Sequence, residues 1–384
     1  VKKGLGKIVQ NQDIRRQMII AFHEIPGIGW HAIQKAVQHQ FWNKPLWSIE
    51  DLLAIGLQRG QAKSAAERYA EHPWILTEEP SAAAQKVNAV ALTPYDAAYP
   101  QMLKEIAQPP WVLYVRGRLE LLQRPAIAIV GTRVPTAYGR QAAASLAKQL
   151  SQSGLTVVSG LAKGIDSKAH EAALGGAGGT IAVLPTPIDR CYPPENLSLF
   201  HRIAEQGLLV SETPIGTSLH PGQFHQRNRI IAALSVGTVV VEGATRSGSL
   251  ITARHASDMS RELFAIPGPI YSPKSEGPNE LIKRGEAKLI TGMQDIIEEL
   301  NWLPAALHAY KEADKKSSSN LETNGDQLTP EESKLIALLR DQPLSINELH
   351  ELSAIPFGHL NALLLNLCIK RKIELQPGSI YIAL

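Results

Sequence analysis

Ala126-Ile-Ala-Ile-Val130-Gly131-Thr132-Arg133 is five apolar residues without a break, followed by a glycine turn that carries a cation. A strand with one wet face would alternate apolar and polar residues. An unbroken run reads as a strand buried on both faces, as in a parallel sheet. Outward from it the pattern repeats. A helix is expected from about Tyr138 to Gln152, a strand over Leu155-Thr-Val-Val158, and a helix from Ser167 to Leu174. Gly175-Gly-Ala-Gly-Gly179 then reads as a solvent-exposed helix C-cap. Thr180-Ile-Ala-Val-Leu184, Gly207-Leu-Leu-Val210, Thr238-Val-Val-Val241 and Leu263-Phe-Ala-Ile266 are further strands. Strand–helix alternation of this kind predicts an α/β fold with an extended, Rossmann-like, doubly wound sheet.

Ligands of such sheets bind beyond the carboxyl ends of the strands, so the residues just after each strand matter most. Three loops stand out: Gly131-Thr132-Arg133, Ser159-Gly160-Leu-Ala-Lys163-Gly164, and Glu242-Gly-Ala-Thr-Arg246-Ser247-Gly248-Ser249. Each offers small residues whose backbone N–H groups can face an anion, and each carries a cation. Phe224-His-Gln-Arg227-Asn228-Arg229 adds an aromatic ring and two guanidinium forks, which suit bases and phosphates. From residue 126 to 270 there are 12 Lys and Arg against 9 Asp and Glu, and most of these cations fall in or beside loops. A local basic site follows, rather than a charged surface.

What is missing narrows the chemistry. The first loop is not G-x-G-x-x-G, and G-x-x-x-x-G-K-[ST] is absent. No cofactor and no metal is expected. Asp166 and His170 share one helical face, but no G-x-S-x-G elbow supplies a nucleophile. They read as a helix cap and a satisfied, partly buried histidine. Glu212 and Glu242 each follow a strand and leave one enzymatic alternative open, a nucleotide phosphoribohydrolase-like acid/base pair. The bland reading of Arg227 and Arg229 is that they pair with these two carboxylates.

The flanks differ from the middle. The first 86 residues read as all-helical, with Pro26-Gly-Ile-Gly29 as a helix-hairpin-helix or SAM-like turn. Lys311 to Gln327 has almost no branched aliphatic residues and reads as a flexible linker. From Thr329, a capping box with Glu332, two short helices, a third with Leu360, Leu363, Leu364 and Leu367 in helical spacing, and a hairpin around Gln376-Pro-Gly-Ser379 describe a winged helix. Expected boundaries are 1–86, a core over 87–303, a linker over 304–328 and the winged-helix unit over 329–384. The chain has 384 residues, 44% of them apolar, and a net charge of only +3, which excludes histone-like and acidic disordered classes. No apolar run approaches a membrane span, and residues 1–13 lack a secretory h-region. Two distant cysteines, Cys191 and Cys368, suggest free thiols in a reducing cytoplasm.

Taken together, the middle region resembles the DNA-processing protein A (DprA, or Smf) family. The resemblance rests on Tyr99-Pro100, Pro109-Pro-Trp-Val-Leu-Tyr-Val-Arg-Gly117, Ala128-Ile-Val-Gly-Thr-Arg133, Ser159-Gly-Leu-Ala-Lys-Gly-Ile-Asp166 with His170, and Tyr192-Pro-Pro-Glu-Asn196. It continues through Ser211-Glu-Thr-Pro214, Phe224-His-Gln-Arg-Asn-Arg-Ile230, Val241-Glu-Gly-Ala244 with Ser247-Gly-Ser-Leu-Ile-Thr252, and Pro267-Gly268. It implies a non-enzymatic protein that binds incoming single-stranded DNA, protects it and loads RecA during natural transformation. It also implies a homodimer through the Rossmann core. Ser159, Gly160, Arg133 and Lys163 would line the DNA pocket, with Arg227, Asn228 and Arg229 nearby. One departure is Pro185-Thr-Pro-Ile-Asp189, where the family carries glycine before Asp-Arg; two prolines stiffen that loop and remove donors. Among the accessory units, the helical hairpin could grip a phosphate through its backbone. The winged helix, with 5 cations against 6 anions from Thr329 onward, suits an accessory or protein-contact role.

Overall fold

The computed structural model describes residues 14–71 except 45, residues 82–302 and 330–353, and, in the C-terminal unit, residues 355, 360, 363–364, 367, 372–376 and 380–383. The expected linker, Thr329 of the expected capping box, most of the third winged-helix helix and the 377–379 hairpin tip lie outside these residues. The chain divides into two compact units, Val1–Tyr310 and Lys311–Leu384.

The first unit is built on a nine-stranded sheet. Its strands are β1 (Val90–Leu92), β2 (Leu113–Gly117), β3 (Ala126–Val130), β4 (Thr156–Ser159), β5 (Thr180–Leu184), β6 (Leu208–Ser211), β7 (Gly237–Val240), β8 (Glu262–Ala265) and β9 (Lys288–Leu289). Their spatial order is β1-β2-β6-β5-β4-β3-β7-β8-β9. Strands β3 to β9 pair in parallel, while β2 runs antiparallel to both β1 and β6. The strong apolar runs were expected as strands; β1, β2 and β9 were not read from the sequence. β1 and β9 are two or three residues long and each has an exposed position. Such fragments have too little pattern of their own, and a neighbouring strand fixes them.

All five residues of β3 are buried. Ala126, Ala128 and Val130 face one layer with Ile230, Ile231 and Ala253. Ile127 and Ile129 face the other with Ala143, Leu146, Leu150 and Ile165. Successive side chains point to opposite faces, so burial on both sides needs helices on both sides. These are Ala137–Gln152 and Ile165–Ala173 on one face, and Gly222–Ala233 and Gly248–Asp258 on the other. The glycine run after Ile165–Ala173 is exposed at Gly175 and Ala177, as the sequence suggested, but Gly178 and Gly179 are buried. A Cβ on Gly178 would stand 2.0 Å from the Leu155 carbonyl oxygen, and one on Gly176 would stand 2.3 Å from Ser151 Oγ. These glycines are packed against Ser151, near the end of Ala137–Gln152, and against the turn that leads into β4.

The N-terminal helices join this unit rather than standing apart. Residues 14–23 form a helix, Pro26-Gly-Ile-Gly29 turns, and Trp30–Gln38 follows. Met18, Phe22, Ile33 and Leu52 share one apolar cluster with Tyr114, Leu184, Phe200 and Leu209 of the sheet region. Trp30 Nε1 donates to the Pro109 carbonyl, and Trp111 Nε1 donates back to the Trp30 carbonyl. Arg16 pairs with Asp96 at 3.0 Å.

In the C-terminal unit, Pro330–Asp341 and Ile346–Ser353 are helices, and three short strands pair antiparallel in the order Leu344–Ser345, Ile380–Ala383, Ile373–Gln376. Leu360, Leu363, Leu364 and Leu367 are helical and buried with Leu335 and Leu349. This is a winged helix built on the apolar spacing expected from sequence.

Candidate nucleic-acid interface

From β3 the chain passes through β4 and β5 to β6 on one side, then returns past β3 to lay down β7, β8 and β9 on the other. The strand order therefore reverses between β3 and β7. At such a switch point the two following loops part and leave a crevice at the carboxyl ends of the strands. A cavity of about 570 Å³ lies there. Val130 to Arg133 line it from the β3 end, Ser247, Gly248 and Ser249 from beyond β7, and Ala162 and Asp166 from beyond β4. The start of Gly222–Ala233 closes it with Phe224, Arg227 and Asn228. A smaller cavity of about 210 Å³ shares Arg133, Ala162, Tyr192, Phe224 and Arg227 with it and adds Gly160 and Lys163.

The loop after β4 holds an unusual backbone. Leu161 is fully buried yet sits at φ +54°, a conformation that β-carbons disfavour. Its partners hold it there. The Leu161 N–H donates to His170 Nε2 at 3.2 Å, and Asn196 Nδ2 donates to its carbonyl at 2.9 Å. His170 must therefore carry its proton on Nδ1 and donate it to Thr180 Oγ1 at 2.7 Å, which in turn donates to the Val157 carbonyl. Burial holds this imidazole neutral and pushes its pKa down to about 3. Asp166 accepts from the N–H groups of Gly160 and Ala162 at 3.1 and 3.4 Å. It caps the loop rather than the helix, whose N-cap is Gly164. Burial pushes the Asp166 carboxyl up, against the pull of Arg227.

Arg227 is almost wholly buried. One nitrogen, Nη1, donates to the carbonyls of Gly160 and of Val183, the latter at 2.7 Å, so it clamps the β4 loop to the end of β5. Burial lowers its pKa to about 10. A Cβ on Gly160 would fall 2.0 Å from this guanidinium, which is the reason for glycine at that position. Gly131 is required for a similar reason, since its Cβ would meet Ile165 at 2.6 Å. Gly248 differs, because nothing lies within 4 Å of the Cβ it lacks. Its openness is toward the cavity.

Arg133 makes no hydrogen bond or ion pair among the described residues; its guanidinium lies 5.7 Å from the centre of the Phe224 ring. Tyr192 meets the same ring edge-on at 5.4 Å. Lys163 is half-exposed and pairs with Glu195 at 2.5 Å. Ser247 caps Gly248–Asp258 by accepting from the Ser249 N–H, and the two hydroxyls lie 2.8 Å apart. Thr132 donates its backbone N–H to the Glu242 carbonyl.

Three candidates lie elsewhere. Ser159 is buried and gives its hydroxyl to the Ile129 carbonyl. Gly164 packs against the backbone of Thr132 and Arg133 and takes φ +85°. Arg229 faces away, with Nη2 on both Glu212 oxygens at 2.6 Å and Nη1 on the Gln108 carbonyl. It lines a different cavity, shared with Trp30 and Trp111 of the helical region. Residues two apart on a helix point in different directions, so Arg227 reaches the switch-point crevice while Arg229 does not, although both border the second cavity. Tyr192, which lines both crevice cavities, and Asn196, which holds the Leu161 carbonyl, are site residues beyond the sequence expectation. The Tyr-Pro-Pro-Glu-Asn stretch that carries them has no loop-and-cation pattern and stands out only through the family resemblance.

The two candidate catalytic carboxylates are engaged. Glu212 holds Arg229, and Glu242 accepts from the Thr136 N–H and hydroxyl at 2.9 and 2.5 Å. Among the described residues no cluster of three or more His, Cys, Asp or Glu could hold a metal ion, and no helix is long and apolar enough to cross a membrane.

Comparison with known proteins agrees with this architecture. Residues 90–301 match the family model for DNA recombination-mediator protein A, and residues 320–379 match the DprA winged helix domain. A Synechocystis protein named Smf is 33% identical over 94% of this chain and 97% of its own length. The DNA processing protein DprA of Bacillus subtilis is 40% identical over 67% of this chain and 86% of its own. Among solved structures, DprA from Streptococcus pneumoniae superposes with a TM-score of 0.63 at 34% identity, covering 75% of this chain and 97% of that one. DprA from Helicobacter pylori, solved for its single-stranded DNA binding mode, gives 0.51 at 35% identity over 55% and 95%. By sequence over almost its full length, and by the fold that carries the switch-point crevice, this chain belongs to the DNA recombination-mediator protein A family, whose members bear the names DprA and Smf.

Proposed function

We propose that this protein binds single-stranded DNA without sequence preference in the switch-point crevice and breaks no bond. The observation that carries the reading is Arg133, a guanidinium with no anionic partner among the described residues, set over an aromatic ring at the mouth of a cavity lined by Gly and Ser residues. Phosphates need cations and N–H donors, and every base offers a π-face to Phe224 and Tyr192. The Helicobacter relative is described as binding single-stranded DNA, which supports the same assignment here. A crevice lined by loops admits splayed nucleotides and excludes a paired helix. An acid/base hydrolase is disfavoured because Glu212 and Glu242 are both committed to internal partners.

Hand-off of the bound strand to RecA in transformation, in the cytoplasm, and a homodimer through the core complete the proposal. The exposed edge strand β9, with Leu289 44% exposed, is the face that a second copy would cover. The test is a gel shift with single- and double-stranded oligonucleotides across a salt series. Preference for the single strand is expected. Equal or better binding of duplex, or release of free base from nucleoside monophosphates, overturns the reading.

A further inference from the structure

The segment after β8 makes a turn closed by the Ser272 N–H on the Pro269 carbonyl at 2.9 Å. The central positions of such turns normally hold Gly, Asn, Asp or Ser, which suit both the bend and water. Here they are Ile270 and Tyr271, 78% and 93% exposed. Nothing in the turn itself requires two large apolar side chains, and presenting them to water is unfavourable. Two more exposed apolar side chains belong to the same neighbourhood. The Tyr138 phenol, 48% exposed, donates to the Pro267 carbonyl at 2.7 Å. Val134, 70% exposed, follows Arg133 directly.

This group adjoins the crevice. Gly243, at the start of the loop that brings Ser247 to Ser249 into the cavity, donates its N–H to the Lys274 carbonyl and accepts from the Gly277 N–H at 2.8 Å. Val134 lies one peptide, about 3.8 Å, beyond Arg133. Arg246 and Lys274 make no ion pair among the described residues. Aromatic and aliphatic faces beside unpaired cations are the combination that single-stranded nucleic acid uses outside a phosphate cradle.

Resting on the DNA-binding reading above, we propose that Tyr271 and Ile270, with Tyr138 and Val134, form a ledge on which unpaired bases stack as the strand leaves the crevice. The occupant is the same strand, because the ledge is continuous with the loops that would hold its phosphates. Its recognition is of base faces, so it is indifferent to sequence.

The experiment compares the full-length wild-type protein with Ile270→Ser/Tyr271→Ser and with Tyr271→Phe. The probes are oligothymidylates of about four and about 20 nucleotides, bracketing a single-site length. A third probe is the longer strand with abasic residues on both sides of a central tract of about four. The double variant should lose about fivefold to 100-fold in affinity for the long strand and nothing for the short one. Tyr271→Phe should bind as wild type. The abasic probe should bind wild type and double variant alike. Wild-type affinity of the double variant for the long strand overturns the ledge while the crevice stands. Weakened binding of all probes equally overturns it too, as does an altered oligomeric state of the double variant with unchanged DNA affinity. Failure of the wild type to bind any strand overturns the DNA-binding reading itself.

Discussion

Two arginines at the crevice have opposite duties, and single substitutions separate them. Among the described residues the Arg133 guanidinium has an aromatic ring as its one side-chain partner, so Arg133→Ala should leave stability within about 0.5 kcal/mol of wild type. It should weaken single-strand binding severely, since the site loses an unpaired cation. Arg227 is a buried clamp whose removal orphans the Gly160 and Val183 carbonyls and leaves Asp166 without its neighbouring charge. Arg227→Ala should therefore lose roughly 3 kcal/mol or more of stability. Thermal denaturation and fluorescence anisotropy on both variants check this. Equal stability losses, or intact binding by Arg133→Ala, contradict the division. The sequence showed both residues, but not their burial. Arg227 and Arg229 sit two apart in one basic stretch, and only helical periodicity, applied to Phe224-His-Gln-Arg-Asn-Arg, would have sent them in different directions.

At the level of single elements, the β4 loop depends on a neutral histidine. The folded His170 pKa of about 3 lies below its ordinary value of 6.5. The folded state thus resists the proton that the unfolded chain accepts. Stability from this group is fully present above about pH 6.5 and falls as pH drops toward 3, by up to about 1.4 kcal/mol per pH unit. His170→Leu removes the acceptor for the Leu161 N–H and should cost about 1–3 kcal/mol at pH 7.5. The gap between variant and wild type should narrow on acidification, because the variant no longer titrates. Urea unfolding at several pH values measures it, and a constant gap refutes the assignment. The glycines give a parallel contrast. Gly160→Ala drives a Cβ into Arg227 and should unfold readily, whereas Gly248→Ala meets open space and should fold as wild type while binding DNA less tightly. Sequence alone marked both glycines as phosphate turns. It could not show that one is needed by the protein's own packing, since the Gly160–Arg227 contact joins residues far apart in the chain. The strands that were legible, β3 to β8, were those whose apolar runs were long enough to signal burial by themselves.

Over the whole molecule, charge is a matter of placement. The net charge is +3, and the C-terminal unit from Thr329 is slightly acidic, so general attraction to a polyanion is weak. On the proposed reading, binding in the crevice draws on few cations, chiefly Arg133 and, once it leaves Glu195, Lys163, since Arg227 is spent on backbone carbonyls. Each phosphate neutralised on a single strand contributes about −0.7 to the slope of log affinity against log salt. These two contacts predict a slope of about −1.4 per protomer, or roughly a sevenfold loss between about 50 and 200 mM salt. Lys163→Ala should make the slope shallower by about 0.7 if the lysine exchanges Glu195 for phosphate, and leave it unchanged if the pair persists. Glu195→Gln should then raise affinity at low salt, because the lysine is free before the strand arrives. Anisotropy titrations of the full-length protein with a labelled oligothymidylate resolve these slopes. A wild-type slope steeper than about −5 would place most of the contacts outside the crevice, and the crevice would no longer account for binding.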